Sequence, residues 1–157
     1  MCLYFSKRMP IDGNITCYKV LLTYKRENWF GSPFVSNMWK LGETKQIKDS
    51  YFLPYDLYHD VKLRTSQKID VGAYHSFKNK VDAIALLNCI RNKIIVGRVK
   101  DPSRYVLAKC TIPKDSKYVF RGKCNITYNI QVDGYASEKL RVDEIIDVNL
   151  ETNSNNG

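Results

Sequence analysis

Nowhere does the chain reach the roughly 20 consecutive apolar residues that a membrane-spanning helix needs. The five cysteines, Cys2, Cys17, Cys89, Cys110 and Cys124, are odd in number, and no pair has Cys-x-x-Cys spacing. A disulfide framework and a zinc site are therefore not expected. Histidine is nearly absent: His59 and His75 are the only two, too far apart and without ligand-spaced cysteines or carboxylates, so no metal is expected. The eight glycines are scattered, and neither the phosphate-loop nor the dinucleotide-binding glycine pattern occurs, so no cofactor is expected. Repeats and low-complexity blocks are missing too. At the start, Met1-Cys2-Leu3-Tyr4-Phe5-Ser6-Lys7-Arg8 places a short apolar run before the charges, the reverse of a signal peptide. The expectation is a cytoplasmic protein with no membrane partner, whose thiols mostly pack as small buried apolar groups.

What the chain does have is positive charge and tyrosine. Lys and Arg number 25 against 16 Asp and Glu, for a formal net charge of +9, and there are 11 tyrosines among 157 residues. A basic surface speeds encounter with polyanions, and tyrosine offers contact area with a polar tip. The length fits one domain, expected over residues 1–148, with the polar, Asn-rich residues 149–157 as a flexible tail.

Alternation and helical spacing give the elements. Ile15 to Tyr24 reads as a strand, with Tyr18, Val20 and Leu22 opposite Lys19, Leu21 and Thr23. Residues 25–60, rich in aromatics and broken by Gly31, Pro33, Gly42 and Pro54, read as short strands and loops pinned by buried rings. Val71 to Phe77 is a further strand. A helix is predicted from about Lys80 to Lys93, with Ala83, Leu86, Leu87, Ile90 and Ile94 as its buried stripe, Asn79 as N-cap and Gly97 helping to stop it or shaping the turn that follows. Tyr105 to Ile112 alternates. Lys117 to Arg121 reads as a short strand ended by Gly122, Asn125 to Val132 as a strand ended by an Asp133-Gly134 turn, and Lys139 to Val148 as the last strand. The fold class this implies is α+β: a mostly antiparallel, strongly bent sheet with one main helix packed against it.

Three constellations bear on chemistry. His75 sits on the apolar face of its strand with Val71, Ala73 and Phe77. Such an imidazole either serves as a base or holds a substrate, or is a core histidine satisfied by a backbone carbonyl; the latter is favoured. Glu144 falls on an apolar face with Leu140, Val142, Ile146 and Val148, so either a bulge or edge position releases it or it lines a pocket; the bulge is favoured. The third is a basic run, Arg91, Lys93, Arg98, Lys100, Arg104 and Lys109, with Asp101 as its only acid. It fits either a phosphate-tracking surface or a solvated face. A dyad of Cys110 or Cys17 with His75 is a weaker alternative, because nothing nearby marks either thiol as activated.

His75, Tyr118 or Tyr128, and Glu144 together resemble the residue set of the histidine-tyrosine-glutamate ADP-ribosyltransferases. The resemblance implies that the histidine positions the nicotinamide ribose and the glutamate supports the transition state, although Ser76-Phe77 follows His75 where glycine is expected. A broader resemblance runs through Met1-Cys2-Leu3, Ile15-Thr16-Cys17-Tyr18-Lys19-Val20-Leu21, Ser32-Pro33, Trp39-Lys40-Leu41-Gly42, Gly72-Ala73-Tyr74-His75-Ser76-Phe77, Cys110 to Tyr118 and Tyr135-Ala136-Ser137-Glu138-Lys139-Leu140. In these blocks the chain resembles a set of short, uncharacterised proteins of bacterial genomes, phages and mobile elements; Asp115 departs from the glycine expected there. That resemblance implies an accessory role without an assigned activity. The expected function is non-catalytic binding of an anionic macromolecule, either nucleic acid or an acidic protein surface, through the basic run. The alternatives are an ADP-ribosyltransferase-like enzyme using His75 and Glu144, and a structural or virion-associated assembly protein.

Overall fold

The computed structural model describes residues 3–35, 37–47, 73–127 and 129–146. Expectations for His59, Val71, Tyr128, Val148 and the tail lie outside these residues. Among these residues ten strands occur, in the order β1 (Leu3–Arg8), β2 (Ile15–Thr23), β3 (Trp29–Gly31), β4 (Met38–Lys40), β5 (Thr44–Gln46), β6 (Tyr74–Phe77), β7 (Tyr105–Ile112), β8 (Val119–Thr127), β9 (Ile130–Ser137) and β10 (Lys139–Ile146). One α-helix, α1 (Lys80–Arg91), follows β6, and a 3-10 turn, Pro102–Arg104, precedes β7. The main sheet runs β1-β8-β9-β6-β2-β7-β10-β5, and β3 and β4 branch from the end of β2. Every pairing among the described residues is antiparallel.

Both faces of the central strands are buried, for which β-branched and aromatic side chains in alternation are well suited. On one face Val20, Leu22, Tyr105, Leu107 and Phe77 pack beneath Ala83, Leu86, Leu87 and Ile90 of α1. On the other, Cys17, Leu21, Ala108, Cys110, Leu140 and Val142 pack with Trp39 of β4. The β3–β4 hairpin brings Trp39 there, and the Gly42 amide fastens its far end to the Val142 carbonyl at 2.8 Å. Gly42 takes φ +81 at that turn, a conformation glycine adopts without steric cost.

Three sequence expectations are corrected. The helix stops before Ile94, which is 66 % exposed rather than the end of the buried stripe. The stop is a Schellman-type cap: Ile94 N–H bonds Cys89 O at 2.8 Å, Lys93 N–H bonds Ile90 O at 3.1 Å, and Lys93 itself takes φ 58. Gly97 takes no part in that stop and belongs to the turn that follows, where a Cβ would lie 2.2 Å from the Tyr105 hydroxyl. Asn79 does stand at the N-cap position, but without a capping hydrogen bond; its amide faces Asp82 instead, at 3.4 Å.

The third correction is one of register. Gly122 does not end a strand, and Asp133-Gly134 is not a turn. The two glycines face each other in the middle of the β8–β9 ladder, whose turn falls between Thr127 and Ile130. Glycine within a strand marks close approach: a Cβ on Gly134 would meet Cys124 Sγ at 2.3 Å and the Ser76 carbonyl at 3.0 Å. In consequence Ile130 stands at the end of the hairpin and is 47 % exposed.

Candidate anion-binding cleft

His75 and Glu144 do not meet. His75 is 6 % exposed, on the face of Ala73 and Phe77, and its Nδ1 lies 3.1 Å from the Ala73 carbonyl. A carbonyl only accepts, so Nδ1 carries the proton, as for a satisfied core histidine. Glu144 projects into water beside Lys109, with 3.9 Å between Nζ and Oε1 and the carboxylate side chain 61 % exposed. A register shift between Val142 and Glu144 turns it out of the apolar face. Strands β2 and β7 stand between β6 and β10, which separates the two residues by about 14 Å of sheet.

Among the described residues the carboxylate that does enter the core is Glu138, 1 % exposed at the β9–β10 corner. Its Oε1 accepts the backbone N–H groups of Lys117 and of Tyr118, the latter at 3.1 Å. It therefore ties that corner to the start of β8. The cysteine dyad also fails: Cys17 and Cys110 are direct cross-strand partners on the Trp39 side, across the sheet from the imidazole. Burial pushes the Cys17 thiol up to about 12, so it is no nucleophile at neutral pH.

The basic run from Arg91 to Lys109 does not present one cationic face. Arg91 Nη2 donates to the Tyr105 carbonyl at 3.1 Å, and burial lowers the guanidinium pKa. Arg98 Nη1 reaches the Val35 carbonyl at 3.0 Å, and Arg104 Nη2 the Thr23 carbonyl at 2.7 Å. These arginines brace loops, and Lys109 faces Glu144. Lys93 and Lys100 remain exposed.

Cations converge elsewhere. A cleft of about 270 Å³ is lined by Lys7 of β1, Lys78 just after β6, Arg121 and Lys123 of β8, and Asp133 and Tyr135 of β9. Strand pairing builds it. Lys7 faces Arg121, Arg121 faces Tyr135, and Lys123 faces Asp133. Residues two apart share a face, so Arg121 and Lys123 stand in one row beside Tyr135 and Asp133. The facing glycines 122 and 134 lie between them on the opposite side. Lys78 is held by its own N–H on the Asp133 carbonyl at 3.1 Å. All four cations are exposed, while Tyr135 is 7 % exposed.

Asp133 is the one acid of the cleft. Lys123 Nζ bonds its Oδ1 at 2.7 Å, and this bond, with the charges of Lys123, Lys78 and Arg121, holds the carboxyl below its ordinary range. One cation is thereby matched, and Lys7, Lys78 and Arg121 are left facing the cleft. Burial raises the Tyr135 phenol, which stays protonated and able to donate. Exposed cations beside a protonated phenol are suited to phosphate oxygens. The sequence offered one local hint, the glycines at 122 and 134, which mark close strand approach. The cleft's cations come from segments about a hundred residues apart.

On the Trp39 side, Lys19 is 6 % exposed, and among the described residues no carboxylate pairs with it. Its Nζ donates to the His75 carbonyl at 2.6 Å and stands 5.5 Å from the Trp39 ring centre; Lys45 Nζ lies 5.4 Å from the same ring. Burial lowers the pKa of both lysines. Tyr74 meets Trp39 edge-on at 5.2 Å.

Among the described residues, no group of three or more His, Cys, Asp or Glu side chains is placed to hold a metal, and no helix is long and apolar enough to cross a membrane. Comparison with protein-family models, with curated proteins and with solved structures gave no match to this chain.

Proposed function

We propose that the chain binds nucleic acid without catalysing a reaction on it, through the cleft of Lys7, Lys78, Arg121 and Lys123. The supporting observation is the convergence of four cations from two strands and a turn around the buried Tyr135 ring, with only Asp133 opposing them. A cleft this small accommodates a strand's phosphate and a neighbouring base rather than the broad face of a duplex, so the preferred ligand is single-stranded. The setting we favour is that of a cytoplasmic accessory protein of phage or mobile-element type. An acidic protein surface would meet the same charges, and salt-sensitive binding of single strands is what separates the two readings. An ADP-ribosyltransferase reading lacks its pair, since His75 is in the core and Glu144 is in water.

The test is fluorescence anisotropy of labelled single-stranded DNA, RNA and duplex DNA at two salt concentrations, with wild type and with Lys7→Gln/Arg121→Gln. The expected result is salt-sensitive binding of single strands that the double variant weakens. No binding at low salt, or binding indifferent to the double variant, refutes the assignment.

A further inference from the structure

A second surface lies at the end of α1. The loop from Lys93 to Asp101 carries four aliphatic residues in close succession, Ile94, Ile95, Val96 and Val99, and turns two of them outward: Ile94 is 66 % and Val96 68 % exposed. Beside them a groove of about 230 Å³ is floored by Ile90, Ile95, Val99 and Tyr105, with Lys93 and Lys100 at its rim.

The loop is held firmly. The Tyr105 hydroxyl donates to the Val99 carbonyl at 2.7 Å and accepts the Val99 N–H at 3.0 Å. Arg98 N–H bonds the Pro33 carbonyl at 2.8 Å while its guanidinium holds the Val35 carbonyl. Arg91 reaches the Tyr105 carbonyl from the helix. The isoleucine and valine therefore face water from a braced loop, which lowers the ordering cost of a partner that covers them. Exposed aliphatics beside a preformed apolar groove are the usual mark of a contact surface.

Charge indicates the partner. Lys93 adopts φ 58, where glycine would carry no steric penalty, yet the position holds a cation at the groove's rim. Lys100 provides another. The nearby acid, Asp101, is turned away: its Oδ1 accepts Ser103 N–H at 3.0 Å and Ser103 O–H at 2.7 Å, capping the 3-10 turn.

We infer that this groove docks a short acidic peptide segment of a partner protein, with an aliphatic or aromatic anchor seated against Val96 and carboxylates on Lys93 and Lys100. The surface is separate from the nucleic-acid cleft, and the inference stands whether or not that cleft binds nucleic acid.

The test is selection of short random peptides on the full chain, followed by anisotropy of the enriched peptides with variants. The expected peptides combine Asp or Glu with Leu, Ile or Phe. Val96→Asp and Lys93→Gly/Lys100→Glu should each weaken them about tenfold, while Lys7→Gln/Arg121→Gln should leave them unchanged. Circular dichroism checks that each variant is folded; if Val96→Asp fails to fold, Val96→Ser takes its place. Absence of enrichment, peptides without acidic residues, or binding insensitive to both groove variants overturns the inference. So does a result in which Lys93→Gly/Lys100→Glu weakens RNA or DNA binding but no peptide, because the lysines would then extend the nucleic-acid surface.

Discussion

Replacing Arg121 with glutamine removes one cation from the cleft and leaves a shorter, neutral polar side chain opposite Lys7 and Tyr135. Lys123 is already matched by Asp133, so three cations are available to phosphates. For single strands each phosphate contact contributes about −0.7 to the slope of log affinity against log salt, which gives a wild-type slope of about −2. Raising salt from about 50 to about 200 mM should then weaken binding roughly twentyfold. In Arg121→Gln the slope should fall to about −1.4, and the same salt step should cost roughly sevenfold. The assay is equilibrium anisotropy of a labelled oligonucleotide across a salt series, with both proteins on the same probe. The change in slope matters more than the loss of affinity, because local disorder would also reduce affinity but would not remove a single counterion's worth of salt dependence. A variant slope equal to the wild type's refutes the placement of phosphate in this cleft. A wild-type slope near zero refutes phosphate contact altogether.

Three further outcomes follow from the core and caps. The Cys17 thiol has its ordinary pKa of 9.0 raised to about 12 by burial, so the folded state holds a proton that the unfolded chain releases; stability is undiminished below pH 9 and falls as pH rises from there to 12. Between about pH 8 and pH 10 this one thiol accounts for about 1.4 kcal/mol, so Cys17→Ala, compared by urea unfolding under reducing conditions, should lose that much less than wild type; an identical pH dependence would contradict it. Glu138→Ala removes the acceptor of the buried Tyr118 N–H and of the half-buried Lys117 N–H and should cost about 3 kcal/mol, whereas Glu144→Ala, at an exposed site, should shift the same unfolding midpoint little. Lys93→Gly relieves a left-handed backbone and should raise stability by about 1 kcal/mol; a fall instead would mean that the lysine side chain supports the fold.

Legibility in the sequence tracked how local each signal was. Strand β2, strand β7 and the stripe Ala83, Leu86, Leu87, Ile90 were readable because each declares its own periodicity, and the structure places them within a few residues of expectation. The bulge at Glu144 was readable as a conflict between a carboxylate and an apolar face. Strand β1 was not, because its pairing partner lies over a hundred residues away. Asp133-Gly134 has the composition of a turn, and only the glycine facing it at 122 reveals a ladder. Lys19 was assigned to the side of Leu21, and by alternation that is where it sits. Alternation cannot show that this side is also covered, since the cover comes from Trp39 on a separate hairpin. Apart from the glycine pair, nothing local marks the cleft, for the same reason: its cations become neighbours only through register.

The bracing arginines have a consequence for how this chain tolerates change. Arg91, Arg98 and Arg104 each hold a main-chain carbonyl with a planar, forked group, and lysine keeps the charge without the fork. Exchange for lysine would leave the isoelectric point almost untouched while loosening the loops that shape the groove. An exposed cation such as Lys100 has the opposite character, since it can vary freely as far as folding is concerned and matters only to whatever touches it. Two kinds of positive charge thus share one stretch of chain, one acting as scaffold and one as surface, and composition counts them alike.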